Sequence, residues 1–286
     1  MKKIGFVDYY ISEWHANNYP SWIAQANKKL GTDYQVTYAW AEEDVSPVYG
    51  ETTDEWCKKM GVTRCNSIAE LCEKSDVIII LAPSNPEKHL QYAKEVLPFS
   101  KRTYIDKTFA PDFETAKEIF KIADEHGTPF FSSSALRFAD ELNELEGSNN
   151  LIITGGGGNF AEYLIHTVEM AVKLLDNPIK TVKVEKIGDQ RICHAVTENG
   201  KQTSIIYSPA EVFRINCETI NGEYTHIDIT SEFFVNLIVE IIKFFDAGVL
   251  PFDTKQTLEA MRFRSALLNA ENKSGNWIEL CGDDIK

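Results

Sequence analysis

The sequence predicts an α/β protein: a Rossmann-like doubly wound parallel sheet followed by an α+β domain with a mostly antiparallel sheet. Three observations predict it. Strand-like and helix-like segments alternate through the first half of the 286-residue chain, as in a parallel sheet covered by helices. Asp76-Val-Ile-Ile-Ile-Leu-Ala-Pro83 is a continuous apolar run rich in β-branched residues, as expected of a strand buried on both faces. From Asn150 onward the texture changes to a glycine run, one helix and alternating stretches that read as antiparallel strands with one helical face.

Taken in order, Lys3 to Val7 and Tyr34 to Trp40 are the expected first and second strands. The apolar run from Asp76 is the next strand. Arg102 to Lys107 and Thr128 to Ser134 give two more, separated by helical stretches at Glu87 to Val96 and Phe113 to His126. The last helix carries its own punctuation. Asp112 can cap it, Phe113, Ala116, Ile119, Phe120 and Ala123 form an inward stripe, and Gly127 ends it. Past Gly155 to Gly158, a helix near Phe160 to Leu175 precedes the alternating stretches Thr181 to Lys186, Thr203 to Tyr207 and Val212 to Thr219. Two domains follow, 1–128 and 129–286, joined near residues 128–150.

A hydrophobic content of 43% can fill a core. The longest apolar run, Val77 to Ala82, is far too short to span a bilayer. Met1-Lys-Lys-Ile-Gly-Phe-Val-Asp8 lacks the apolar core and cleavage site of a signal peptide, so a cytoplasmic location is expected. A net charge of −14 opposes binding to phosphate backbones or anionic membranes, and no nucleic-acid or membrane partner is expected. Six cysteines, Cys57, Cys65, Cys72, Cys193, Cys217 and Cys281, are scattered without a Cys-x-x-Cys pair. They read as reduced structural thiols.

Lys107 stands where a strand ends and a helix follows, in Arg102-Thr-Tyr-Ile-Asp-Lys107-Thr-Phe-Ala-Pro-Asp112. Carboxyl ends of strands in an open parallel sheet face the ligand crevice, so Lys107 is aimed at a site. A solvated lysine after a strand is its ordinary alternative. Glu162-Tyr-Leu-Ile-His166 sets a carboxylate and an imidazole four residues apart on one helix face. A lysine, an acid and a histidine can together manage a proton. A core histidine and a surface pair are the plainer readings of His166 and Glu162.

These residues resemble the glucose-fructose oxidoreductase and inositol dehydrogenase (Gfo/Idh/MocA) family. The match runs through Trp56-Cys-Lys-Lys-Met-Gly-Val62, Ser67-Ile-Ala-Glu-Leu71, Asp76 to Pro83, His89, Asp106-Lys107 and Asp112-Phe-Glu-Thr-Ala-Lys117. It continues through Gly155 to His166 and Gly275-Asn-Trp-Ile-Glu279, so nearly the whole chain is covered. The resemblance aligns Asp106-Lys107-Thr108 with the family's Glu-Lys-Pro beside the nicotinamide, and Glu162 and His166 with its aspartate and histidine. It implies a dinucleotide-binding first domain, a second domain that binds a sugar-like substrate, and oligomers, dimeric or tetrameric, built through the second-domain sheet.

The chain departs from that family in the turn after the first strand. A Gly-x-Gly-x-x-Gly stretch is expected near Asp8 to Trp14, but Asp8-Tyr-Tyr-Ile-Ser-Glu-Trp-His15 contains no glycine. Side chains there obstruct the approach of a pyrophosphate, and Asp8 and Glu13 add like-charge repulsion. Tyr9, Tyr10, Trp14 and His15 crowd the same turn, either packing the core or stacking on a ligand that enters differently. Thr108 replaces the family proline.

The expected cofactor contacts are Asp8, Tyr10, Glu42, Pro83, Ser84, Asn85 and Lys107. Glu42 or Glu43, after the second strand, can accept ribose hydroxyls and would favour NAD over NADP; a solvated acidic turn is the alternative. Pro83, Ser84 and Asn85 also suit an ordinary turn or helix cap. Gly155 to Gly158 either approach a ligand or make a flexible turn. The leading expectation is NAD(P)-dependent hydride transfer from a secondary alcohol of a sugar, polyol or cyclitol, with Lys107, His166 and Glu162 as the catalytic set and no metal. Two alternatives stand beside it: a ligand-binding protein that kept the fold but lost ordinary dinucleotide use, and a metal-dependent hydrolase or lyase with Glu162, His166 and His194 or His226 as ligands.

Overall fold

The structure, a computed structural model, describes residues 1–273 and 275–280; Cys281 lies outside the described residues. The chain divides into two compact units, residues 1–133 with 234–254, and residues 134–233 with the segment from Lys255.

The first unit holds a parallel sheet of β1 (Lys2–Asp8), β2 (Tyr34–Ala41), β3 (Thr63–Arg64), β4 (Val77–Ile80), β5 (Thr103–Ile105) and β6 (Phe130–Ser132). Its strand order is β3-β2-β1-β4-β5-β6. The order reverses between β1 and β4, and in open α/β sheets ligands bind beyond the carboxyl ends of the strands at that switch point. All four residues of β4 are buried, as its unbroken apolar run predicts.

The helices of this unit are α1 (Trp14–Leu30), α2 (Thr53–Met60), α3 (Ile68–Lys74), α4 (His89–Val96) and α5 (Phe113–His126). Helix α5 begins and ends at its sequence signals. Asp112 accepts the Thr115 N–H at 2.8 Å, and Gly127 adopts the left-handed conformation that stops the helix. Thr52 and Glu55 form a reciprocal capping box at the start of α2.

The second unit opens with β7 (Asn150–Gly155) and α6 (Phe160–Leu175), followed by β8 (Ile179–Ile187), β9 (Gln190–Thr197), β10 (Gln202–Tyr207), β11 (Arg214–Glu218) and β12 (Tyr224–Asp228). Helix α7 (Phe233–Ala247), helix α8 (Lys255–Glu271) and β13 (Ile278–Glu279) complete the described elements. The second sheet runs β12-β11-β7-β10-β9-β8-β13, antiparallel throughout except where β10 pairs β7. Helices α6 and α8 pack on each other and against this sheet. Arg137 and Glu169, both buried, form an ion pair at 2.9 Å within this unit.

Helix α7 lies beyond the second-unit strands in sequence yet belongs, from Phe234, to the first unit. Phe244 packs edge-on against Phe131 of β6, Phe234 stacks on Trp22 of α1, and Arg102 donates to the Asp246 carbonyl at 3.0 Å. Val235, Leu237, Ile238, Ile241, Ile242, Phe244 and Phe245 are all buried on α7, an apolar stripe covered within the first unit. Among the described residues no helix is long and apolar enough to cross a membrane. Cys57, Cys65, Cys72, Cys193 and Cys217 are buried free thiols, and burial lifts those of Cys57 and Cys72 to about 11 and about 12.

Candidate functional site

Residues at the switch point are knit together by Asp8, the last residue of β1. Its Oδ1 accepts the N–H of Tyr9 at 2.7 Å and of Ala82, just past β4, at 3.0 Å. Its Oδ2 is buried and has no hydrogen-bond partner among the described residues. Asp8 is 1% exposed. Burial first, and the neighbouring Glu13 second, push its carboxyl well above the usual range.

Glu13 is the N-cap of α1. Its carboxylate accepts the N–H groups of His15, at 2.7 Å, and of Ala16. These are the orphan donors of the helix terminus, satisfied here by a buried side chain of the same chain. Burial raises the Glu13 carboxyl, partly offset by His15.

Asp106 follows β5 and is wholly buried. His15 Nδ1 bonds to its Oδ2, the Tyr19 hydroxyl donates to the same oxygen at 3.2 Å, and the Lys107 N–H donates to Oδ1 at 2.7 Å. Burial alone would raise this carboxyl, but His15 and then Lys107 outweigh it and hold Asp106 below the usual carboxylate range.

Lys107 is 9% exposed, and its Nζ donates to the carbonyl of Pro83 at 3.3 Å. Thus β4 and β5 bring Lys107 and Pro83 together at the carboxyl edge of the parallel sheet. The Asn85 amide donates to Glu87 at 2.9 Å, and Asn85 precedes a short 3₁₀ turn, Pro86–Lys88, without capping it through its side chain. Ser84 lies between them in the same turn. His89, from the same α4 start, is buried with its ring nitrogens against the carbonyls of Phe109 and Leu81.

Glu42, next after β2, is engaged by its own chain. Its carboxylate takes the Lys88 ammonium at 2.5 Å and the Tyr92 hydroxyl at 2.8 Å. Burial raises this carboxyl, and those two partners lower it further than burial lifts it. Lys88 also lies over the Tyr9 ring, 4.7 Å from its centroid, and the Tyr9 and Tyr10 rings sit 5.8 Å apart. Trp14 packs on Trp22 and Phe234, so the aromatic crowding of this turn includes a packing cluster around α1.

In the second unit, the first turn of α6 is built by Asn159, which accepts the Glu162 N–H at 2.8 Å and returns its amide to the Glu162 carboxylate at 3.0 Å. His166, one turn on, has Nδ1 2.7 Å from Ser134 Oγ, and its ring meets those of Tyr163 and Phe213 edge-on. Ser134 also accepts the Leu136 N–H at 3.2 Å.

The glycine run before α6 is demanded by close packing. A Cβ on Gly156 would stand 2.1 Å from the Ser208 carbonyl oxygen, and one on Gly157, whose φ is +153°, would enter the Tyr163 ring. Among the described residues no group of three His, Cys, Asp or Glu side chains is arranged to hold a metal ion. His194 instead bonds Ser204 across β9 and β10 at 2.9 Å.

A dinucleotide in this fold rests its pyrophosphate on the N–H groups that open α1, with glycines giving the backbone room. Counting from the end of β1, the glycine positions are held by Asp8, Tyr10 and Glu13. A pyrophosphate does not fit this turn as the structure has it: two of the turn's N–H donors are taken by Glu13, and Asp8 and Glu13 add buried carboxyls to it.

Sequence reasoning read Glu13 as a repelling charge and His15 as part of the crowding, and gave neither a part in building the site. Glutamate lies outside the usual Ser, Thr, Asp and Asn set of N-caps, so no ordinary cap signal marks Glu13. His15 meets Asp106 from 91 residues away, and no local pattern marks such a pairing.

No family model and no curated protein matches the sequence. Among solved structures, the chain superposes on myo-inositol dehydrogenase from Lactobacillus casei in complex with NAD(H) and myo-inositol with a TM-score of 0.80 at 10% identity, covering 100% of this chain and 98% of that one. It is similar also to myo-inositol 2-dehydrogenase from Lactobacillus plantarum, with a TM-score of 0.77 at 12% identity over 98% and 99% of the two chains. A probable dehydrogenase from Thermotoga maritima gives 0.76 at 13% over 97% and 98%. At these identities the likeness is one of fold.

Proposed function

We propose that the chain is an oxidoreductase of the dehydrogenase type, acting by hydride transfer on a secondary alcohol of a sugar, polyol or cyclitol. The observation that carries this reading is the buried Lys107 at the carboxyl end of β5, braced by Asp106, in a fold shared over its whole length with inositol dehydrogenases. Such a reaction calls for a nicotinamide dinucleotide, and an acid at position 42 would favour NAD over NADP once released from Lys88 and Tyr92. Because the pyrophosphate does not fit the β1–α1 turn as it stands, the roles below belong to the chain's own groups.

The Lys107 ammonium donates to the substrate hydroxyl and stabilises negative charge on that oxygen as its proton departs. His166 is the base that removes the proton through Nε2. In that tautomer Nδ1–H donates to Ser134 Oγ. Glu162 fixes the first turn of α6 and, one turn before His166, supplies negative charge that favours the imidazolium formed. The second unit holds the sugar-like substrate, and the assembly is a homodimer or homotetramer.

The test is a screen of sugars, polyols and cyclitols with NAD and NADP, followed at 340 nm, on the wild type and on Lys107→Met and His166→Asn. The expected result is turnover of a polyhydroxylated substrate that both substitutions abolish without unfolding the chain. Undiminished turnover in Lys107→Met would remove that residue from the mechanism, and silence across the whole screen would remove the reaction.

One observation favours a second reading, in which the chain binds a polyhydroxylated ligand without ordinary dinucleotide use: Glu13 sits where a pyrophosphate belongs. Calorimetry that finds a polyol ligand and neither nucleotide would select it.

A further inference from the structure

We infer that Glu13 is a built-in competitor for the pyrophosphate of a dinucleotide, so that selectivity at the first unit is set by how readily this side chain leaves the start of α1. The inference rests on the reading above that a dinucleotide is the ligand there.

Two observations carry it. The Glu13 carboxylate already accepts the His15 and Ala16 N–H groups, which supplies at the helix terminus the same acceptor chemistry that a phosphate oxygen would bring. Near it, Asp8 adds a second carboxyl, whose Oδ2 is buried and has no hydrogen-bond partner among the described residues. Ile11, Ser12 and Glu13 are all buried, so the cap is part of the packed interior. Ser12 is held as well: its carbonyl accepts the Ser46 hydroxyl at 2.6 Å, and its own hydroxyl donates to Glu51 at 2.6 Å.

A dinucleotide must therefore displace an internal anion, and its apparent affinity falls by the fraction of molecules in which the turn is open. The other titratable groups facing Glu13 are His15, whose ring is committed to Asp106, and Asp106 itself. Protonation of Asp8, favoured by its burial, lessens the charge in the turn but leaves the donors occupied.

The experiment compares NADH affinity, by nucleotide fluorescence, in the full-length wild type, Glu13→Gln, Glu13→Ser and Asp8→Asn/Glu13→Ser, with melting temperature recorded for each. Serine keeps a helix cap while withdrawing the charge and shortening the side chain. Withdrawing the charge and freeing one of the two N–H donors should tighten NADH binding by roughly tenfold or more in both serine variants, with Glu13→Gln between them and the wild type. Inorganic pyrophosphate should move the His15 and Ala16 amide resonances of Glu13→Ser and leave them still in the wild type.

Folded Glu13→Ser that binds NADH no more tightly than the wild type, or that does not bind it at all, overturns the inference. The two failures are distinguishable. Loss of polyol oxidation in every variant at saturating nucleotide removes the dehydrogenase reading and leaves the affinity comparison standing. Equal affinity in wild type and Glu13→Ser, with turnover present, removes the inference and leaves the reading.

Discussion

His15 Nδ1 is hydrogen bonded to Asp106 Oδ2, which ties the first turn of α1 to the residue after β5 and so to the backbone of Lys107. Both side chains are buried. Removing the imidazole leaves an uncompensated buried carboxylate. His15→Ala is expected to cost about 3–5 kcal/mol of stability, measured by urea unfolding. A loss under about 1 kcal/mol would mean that the Tyr19 hydroxyl and Lys107 N–H suffice to hold Asp106.

The pH dependence of folding should carry opposite signatures from Asp106 and Asp8. Asp106 is lowered in the folded state, so its contribution is present above the unfolded carboxylate pKa and is lost as pH falls through its folded value. Asp8 is raised. Its contribution is present below the unfolded value of about 4 and is lost as pH rises through the folded one.

Asp8→Asn keeps an oxygen to accept the Tyr9 and Ala82 N–H groups and puts an amide where Oδ2 lacks a partner. The variant should therefore gain on the wild type as pH climbs above about 4. Parallel stability curves for the two proteins across that range would contradict the ionisation assigned to Asp8.

Ser134 is a positioning residue for His166 in the proposed reaction. Ser134→Ala should lower kcat, by less than the roughly 10²–10⁴-fold expected of His166→Asn, with KM nearly unchanged. Ser134→Thr should restore most of the rate, since its hydroxyl can still accept Nδ1–H. A purely structural serine would instead show in the melting temperature, with kcat untouched.

Gly156→Ala tests the glycine run. The added methyl meets the Ser208 carbonyl oxygen at 2.1 Å, and backbone atoms of Glu211 are within 3 Å, so no flexible side chain can yield. A destabilisation of about 1–3 kcal/mol or more follows from overpacking. The same change at Gly158, where the nearest atom is 3.8 Å away, should be mild.

Legibility in the sequence followed locality. Helix α5 could be bounded to the residue because Asp112 and Gly127 act within one turn of it, whereas the apolar run from Asp76 to Pro83 located β4 without marking its end at Ile80. Lys107 was legible as the residue after a buried strand. Helix α7 was not placed from sequence. Its partners, Phe131 and Trp22, stand more than a hundred residues earlier, and nothing in Phe233–Ala247 says which sheet it will cover. The glycine-free turn could be read as crowded and anionic, but a capping role for Glu13 needed the backbone donors of His15 and Ala16 in view. Glu42 could be placed after β2 from the sequence, but its partners Lys88 and Tyr92 reach it from a separate part of the chain and no local pattern announces them.

That residues 234–254 complete the first unit has a consequence for biosynthesis. On the ribosome, residues 1–133 emerge first, yet the faces that Trp22 and Phe131 offer stay uncovered until more than a hundred further residues have been translated. The nascent N-terminal half must wait, greasy and incomplete, for a late-arriving helix, which makes it a natural client for chaperones and makes truncation anywhere before Thr254 a route to aggregation rather than to a smaller working protein.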